Sequence, residues 1–386
     1  MNTDYGKRPG MKRWMLIFCL VSACALGNPP VTKAKRSFAK RAGCATLVAA
    51  VVTVSGLVGW FSYGEWAASD PDSRQTSDFE QEAAESRVDT VVLGDSLSCG
   101  DMCYSSGFNT IVNTRMRTQT GWAINVREKN DALTPLFDRL AEKYPARVTV
   151  AAWAGAYLDV ASPLDRSTAN TLGKIANFSD QVTRVEKMEE KPNLVLIWIG
   201  HNNMDWAYDI ENVEGLDADE YYDSIPDRMA EGMETELTRL RETLKKEGKR
   251  VSVVVYGLVD FEKAFEARRQ ADALRNEDPK LYPYFETPYT NFPSVKPEHQ
   301  KKTAELGRRV NAALKRKLET LQARWGSDGE LWRYSDAIYD APLGEARMLH
   351  ATDAFHLSPE GHNTVANAVE KSLAPSLEFL RVPPRP

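Results

Sequence analysis

Ser96 is the residue in this chain best placed to act as a nucleophile. It lies in Gly94-Asp95-Ser96-Leu97, directly after the apolar run Val88 to Leu93. A serine hydroxyl attacks only when a base removes its proton, so it must be exposed to a histidine. The carboxyl end of a buried strand in an open α/β sheet offers such a position. Gly-Asp-Ser is also ordinary turn chemistry, and the tetrapeptide alone therefore decides nothing. The base must come from elsewhere, and Asp353-Ala354-Phe355-His356 supplies it. One short loop can carry an imidazole together with the carboxylate that holds its Nδ1–H and tautomer. The residues that follow, Ser358, Pro359 and Glu360, read as an N-cap, a first-turn proline and an acidic first turn, so a helix start backs the loop. Lone histidines commonly cap or pack. Of His201, His299, His350, His356 and His362, only His356 has both a near carboxylate before it and a helix start behind it.

Acyl transfer also needs donors for a developing oxyanion. The apolar run Leu194 to Ile199 reads as a buried parallel strand and ends in Gly200-His201-Asn202-Asn203. A less apolar run, Val148 to Trp153, ends in Ala154-Gly155-Ala156. Glycine admits close backbone approach, and an asparagine amide donates without bringing charge. The Ser96 and Gly155 amides with the Asn202 side chain would make an oxyanion hole. Taken singly, each is an ordinary loop residue.

In this order the four segments resemble the SGNH (GDSL) hydrolase superfamily, from about Val88 to Leu380. Gly94-Asp95-Ser96-Leu97 matches the first block, Gly155 the second, Gly200-His201-Asn202 the third and Asp353-Ala354-Phe355-His356 the last. The ordered set is far more specific than any member. The third block departs from the usual Gly-x-Asn-Asp, because Asn203 replaces the aspartate; this puts local hydrogen bonding in question, not the oxyanion asparagine. The resemblance implies a flavodoxin-like three-layer α/β/α sandwich with a parallel sheet. It also implies a serine esterase or lipase that needs neither metal nor organic cofactor.

Strands are expected at 88–93, 147–153, 194–199 and 251–256. Helices are expected around 130–143, 178–190, 226–247, 298–323 and 359–373. Such alternation argues for a parallel sheet covered on both faces. No internal repeat is visible. Two stretches exceed ordinary loop length, Met204 to Ser224 and Phe261 to Pro297. Both follow strand ends and carry aromatics, among them Trp206, Tyr208, Tyr221, Tyr222, Tyr282, Tyr284, Phe285 and Tyr289. Packing onto the body is the commoner fate of such side chains; an acyl- or sugar-binding wall is the other.

The first 87 residues stand apart. The run 44–63 carries no charge and is long enough to cross a bilayer, with Trp60, Tyr63 and Trp66 suited to an interface. Lys33, Lys35, Arg36, Lys40 and Arg41 precede it, and Glu65, Asp70 and Asp72 follow. The positive-inside bias then leaves 1–43 in the cytoplasm, 44–63 as a signal anchor, 64–87 as an acidic linker and 88–380 exported. The shorter run Trp14 to Leu26 has signal-peptide length, and Val21-Ser22-Ala23-Cys24 resembles a lipobox; its use would translocate five basic residues, which disfavours it. Cys99 and Cys103 permit a disulfide across a turn, or two reduced thiols. With no local histidine pair they make no ordinary zinc site. A net charge of −5 with no basic stripe speaks against nucleic acid as a partner.

The expectation is a membrane-anchored, extracytoplasmic serine ester hydrolase acting on a small ester, a lipid or an acylated polysaccharide. Ser96 attacks, His356 takes the proton and Asp353 orients the imidazole. An acyltransferase delivering acetyl groups to envelope polysaccharide would use the same residues. A catalytically silent envelope-binding protein would have no need of all five.

Overall fold

The computed structural model describes residues 74–76, 87–99, 121–125, 131–153, 156–158, 177–205, 217–245, 248–282, 297–327, 329–351 and 354–385, all within the unit Leu57–Pro386. Its centre is a sheet of β1 (Arg74–Thr76), β2 (Val88–Gly94), β3 (Ala146–Val150), β4 (Leu194–Trp198), β5 (Val251–Tyr256) and β6 (Glu330–Ser335), in the order β1-β3-β2-β4-β5-β6. The last five in chain order are parallel, and β1 runs antiparallel on the β3 edge. Parallel strands need crossovers, and helices supply them. β2, β4 and β5 are buried along their whole length, as their continuous apolar sequences require.

Alternation along each strand sends side chains to two cores. Val91, Leu93, Val195, Ile197, Val253 and Val255 face one core, completed by α3 (Phe178–Lys187), α5 (Ala218–Leu244) and α7 (Pro297–Trp325). Val92, Leu194, Leu196, Trp198, Val254 and Tyr256 face the other, completed by α2 (Leu136–Ala141), α9 (Pro359–Ser372) and α10 (Ala374–Leu380). The short α1 (Ser96–Cys99) and α4 (His201–Asp205) open directly off strand ends, and α6 (Phe261–Glu277) and α8 (Ala337–Asp340) complete the set. Helices thus cover both faces of an α/β sheet.

Three sequence-based expectations change, and one strand had none. The stretch read as an acidic linker contributes β1, whose polar residues pair by main chain, and Gln75 Oε1 accepts the Asn125 N–H at 3.1 Å. Residues 261–277, read as loop, form α6; Asp260 caps the Glu262 and Lys263 amides, and Phe261, Phe265, Ala267 and Ala271 are buried. Its sparse apolar stripe, interrupted by Arg268 and Arg269, hides the helical period. Residues 218–224, the end of the other loop, already belong to α5, where Tyr221 and Tyr222 pack against the core. β6 had no expectation because an edge strand is only half buried, and Glu-Leu-Trp-Arg-Tyr-Ser lacks a continuous apolar run.

At the far rim from the candidate site, the strand starts hold a buried ionic cluster. Arg147 Nε donates to Asp89 Oδ1 at 2.8 Å, and both Arg87 and Arg147 pair with Asp89 and Glu190. Each buried guanidinium there has carboxylate partners, as a buried charge requires. No helix among the described residues is long and apolar enough to cross a membrane. The runs 14–26 and 44–63 lie outside them.

Candidate active site

The chain reverses direction across the sheet at β2, flanked by β3 on one side and β4 on the other. In open α/β sheets the crevice beyond the carboxyl ends at such a reversal is where ligands bind. Gly94 ends β2 and pairs with Trp198, the end of β4. Ser96 and Asn202 therefore leave neighbouring strands on the same rim.

The turn that carries Ser96 is fastened from several sides. Gly94 N–H donates to Gln181 Oε1 and Gly94 C=O accepts from Gln181 Nε2, both at 2.7 Å. A side chain at Gly94 has no room: a Cβ there would stand 2.2 Å from Ser98 Oγ and 2.3 Å from the Trp198 carbonyl. Ser98 Oγ donates to that carbonyl at 2.8 Å. Asp95 is fully buried; its Oδ1 accepts Leu97 N–H at 3.1 Å, and its Oδ2 accepts His201 N–H at 3.3 Å. His201 Nδ1 lies 2.8 Å from the same Oδ2. The Val259 N–H points at His201 Nε2 at 3.4 Å, which makes Nε2 the acceptor and leaves the proton on Nδ1. Ser96 opens α1 and is 7% exposed.

Asn202 stands in the first turn of α4, where its Nδ2 donates to Ala156 C=O at 2.9 Å. An amide carries two hydrogens, so one is spent on the segment after β3 and the other can be offered to a ligand. Asn203 answers the question its sequence raised. Its Oδ1 accepts Leu158 N–H at 3.0 Å, so the amide oxygen does the accepting that a carboxylate would do. Gly200 has φ +118°, which a residue with a side chain rarely adopts, and a Cβ would meet Met229 Cε at 2.5 Å.

The His356 segment is held as a small pinned loop. His350 N–H donates to His356 C=O at 2.8 Å, Ala354 N–H to His350 C=O at 2.8 Å, and Ser358 N–H to Met348 C=O at 2.9 Å. Ser358 caps α9 as its sequence predicts, accepting Gly361 N–H at 3.1 Å, with Pro359 in the first turn. Gly361 must be small because a Cβ would lie 2.3 Å from Met348 C=O. His356 is 8% exposed, its ring edge-on to Phe355. Behind it, fully buried His362 accepts Trp122 N–H on Nδ1 at 3.2 Å. Burial pushes its pKa down to about 3, with His356 and His350 adding to the effect. Trp122 continues the link by donating Nε1–H to Leu97 C=O at 3.1 Å.

These pieces converge on a cavity of about 40 Å³, lined by Leu97, His201, Phe261, Phe265, Phe355 and Leu357 among others. The residue after Ser96, the residue before Asn202 and both neighbours of His356 thus share one wall. Asp353 and Gly155 lie outside the described residues, as do Cys103 and the Cys99 side chain. Among the described residues, no group of His, Cys, Asp and Glu is arranged to hold a metal ion.

Sequence reasoning missed Gln181, His201 and Trp122 as supports. Gln181 had a signal: it is a polar residue on the apolar stripe of α3, between Phe178, Val182 and Val185. His201 had one too, its place between Gly200 and Asn202 at a strand end. Trp122 had none.

Among solved structures, the chain is similar to the extracellular lipase from Streptomyces rimosus (14% identity, 74% of this chain and 99% of that one, TM-score 0.39). It is similar also to the lipase Lip_vut3 from a goat rumen metagenome (12%, 74% and 97%, 0.42). A third is phospholipase A1 from Streptomyces albidoflavus NA297 (13%, 74% and 99%, 0.40). No curated protein matches it. The assignment rests on the GDSL-like lipase/acylhydrolase family model, which matches residues 90–369 and so takes in every candidate site residue. With most of its length covered by that model, the chain belongs to the GDSL-like lipase/acylhydrolase family.

Proposed function

We propose that the protein is a serine ester hydrolase working through an acyl-enzyme. Ser96 Oγ attacks the ester carbonyl while His356 takes its proton; the same imidazolium returns the proton to the leaving alcohol. Asp353 holds the imidazole tautomer and stabilises its charged form. The oxyanion rests on the Ser96 and Gly155 amides and the second hydrogen of Asn202 Nδ2. Water, activated by His356, then attacks the acyl-enzyme and releases the acid. The observation that carries this reading is the shared apolar wall: Leu97, His201, Phe355 and Leu357 meet at one cavity beyond the carboxyl ends of β2 and β4. An apolar wall of that kind suits the acyl part of an ester better than a charged group.

The test is labelling of the purified protein by a fluorophosphonate, followed by turnover of p-nitrophenyl esters of increasing chain length. Wild type should label and turn over; Ser96→Ala should do neither while keeping its circular dichroism and melting temperature. Near wild-type turnover in Ser96→Ala would refute the assignment. We further propose that the domain is exported and tethered through residues 44–63, which carry basic residues before them and acidic ones after.

A further inference from the structure

We infer that His201 is a positioning residue that sets the spacing between the nucleophile turn and the oxyanion loop, an inference that rests on the ester-hydrolase reading above. Asp95 and His201 precede Ser96 and Asn202 by one residue each. Both are buried, Asp95 completely, and they are joined side chain to side chain at 2.8 Å. Asp95 Oδ1 holds the Leu97 amide and Oδ2 holds both the His201 amide and its ring. One carboxylate therefore gathers donors from both sides of the place where an ester carbonyl must sit.

The ring is fixed on its other sides too. Trp198 lies edge-on to it, with ring centroids 5.1 Å apart, and Val259 N–H occupies Nε2. With Nε2 accepting, Nδ1–H can only donate, and its partner is Asp95. The imidazole is thus a rigid spacer among the ends of β2, β4 and β5. A flexible side chain at this place would let the turn carrying Ser96 shift against Asn202. Displacements of about 1 Å between reacting groups commonly cost on the order of 10²-fold in rate. His201 borders the acyl cavity but touches neither the reacting carbonyl nor the attacking oxygen in this account; it acts on them through Asp95.

The experiment compares His201→Phe, His201→Asn and His201→Gln in the full-length protein. Phenylalanine keeps the ring volume and loses the bond. Asparagine places its amide nitrogen near the Nδ1 position and can still donate to Asp95, whereas glutamine reaches toward the Nε2 position and misses it. Fluorophosphonate reaction rate at Ser96, kcat and KM are read for each, with melting temperature as the fold check. His201→Phe should lose roughly 10- to 100-fold in kcat and in labelling rate with KM nearly unchanged. His201→Asn should recover most of that loss and His201→Gln should not. Should the phenylalanine variant fail to fold, the asparagine–glutamine pair carries the same comparison. Wild-type kcat in His201→Phe, or equal losses in the asparagine and glutamine variants, would overturn the inference. Absence of labelling in the wild type would instead overturn the ester-hydrolase reading, and this inference with it.

Discussion

Mild acid should weaken this fold through His362, and the size of the effect can be worked out. An ordinary histidine titrates near 6.5, whereas in the folded protein burial holds His362 down to about 3, helped by His356 and His350. Between those values the unfolded chain carries a proton on this ring and the folded chain does not. The unfolded state binds more protons there, so stability rises with pH across that window and falls as pH drops below about 6.5. Above it the group contributes no pH dependence. At pH 5, about 1.5 pH units below the unfolded value, the loss relative to pH 8 is roughly 2 kcal/mol. His362→Asn isolates the effect: its Oδ1 can accept the Trp122 N–H in place of Nδ1, and nothing remains to titrate. The void left by the smaller side chain costs the same at both pH values and cancels. Urea unfolding of wild type and variant at pH 8 and pH 5 gives the comparison. The wild-type-minus-variant difference should shift by roughly 2 kcal/mol against the wild type on acidification. A shift below about 0.5 kcal/mol, or one of opposite sign, would refute the assignment of a neutral, fully desolvated ring.

Three further outcomes are expected. Gly94→Ala should lower stability by about 1–3 kcal/mol and depress turnover, because the new methyl meets Ser98 Oγ and the rigid Trp198 carbonyl; an unchanged melting temperature would contradict the close approach. Asn202→Ala should reduce kcat by roughly 10²- to 10³-fold with little change in KM, and an effect on KM alone would make it a substrate-binding residue instead. An alkaline phosphatase fusion after Leu380 should be active and a green fluorescent protein fusion dark if the domain is exported, and the opposite pair would reverse the proposed topology.

The buried strands β2, β4 and β5 were legible because a strand covered on both faces must be apolar throughout, and theirs are. The Ser358 cap was legible because it is local: the hydroxyl, the first-turn proline and the glycine it caps lie within four residues. What failed was anything decided at a distance. Nothing in Arg74-Gln75-Thr76 announces a strand, since β1 exists only because the β3 edge offers free main-chain groups. α6 took its core face from α7 and from Ala346, Leu349 and Ala354, against which Ala267 and Ala271 pack, and a single helix read alone does not reveal that. The candidate residues Ser96, Asn202 and His356 stood out by type and order. Their supports were not, because Gln181 and His201 matter through partners 87 and 106 residues away.

Those separations bear on when the candidate site is assembled. The turn carrying Ser96 is clasped by Gln181 from α3, by His201 from the end of β4 and, through Trp122, by His362 of α9. Each clasp closes a long loop whose entropy cost must be met before the contact returns anything. β2 can pair with β3 without these clasps, yet the one through Trp122 requires α9, late in the chain. A firmly held Ser96 turn is therefore a property of the finished domain. A chain truncated before α9 would carry the complete Gly94–Leu97 tetrapeptide without the contacts that hold it.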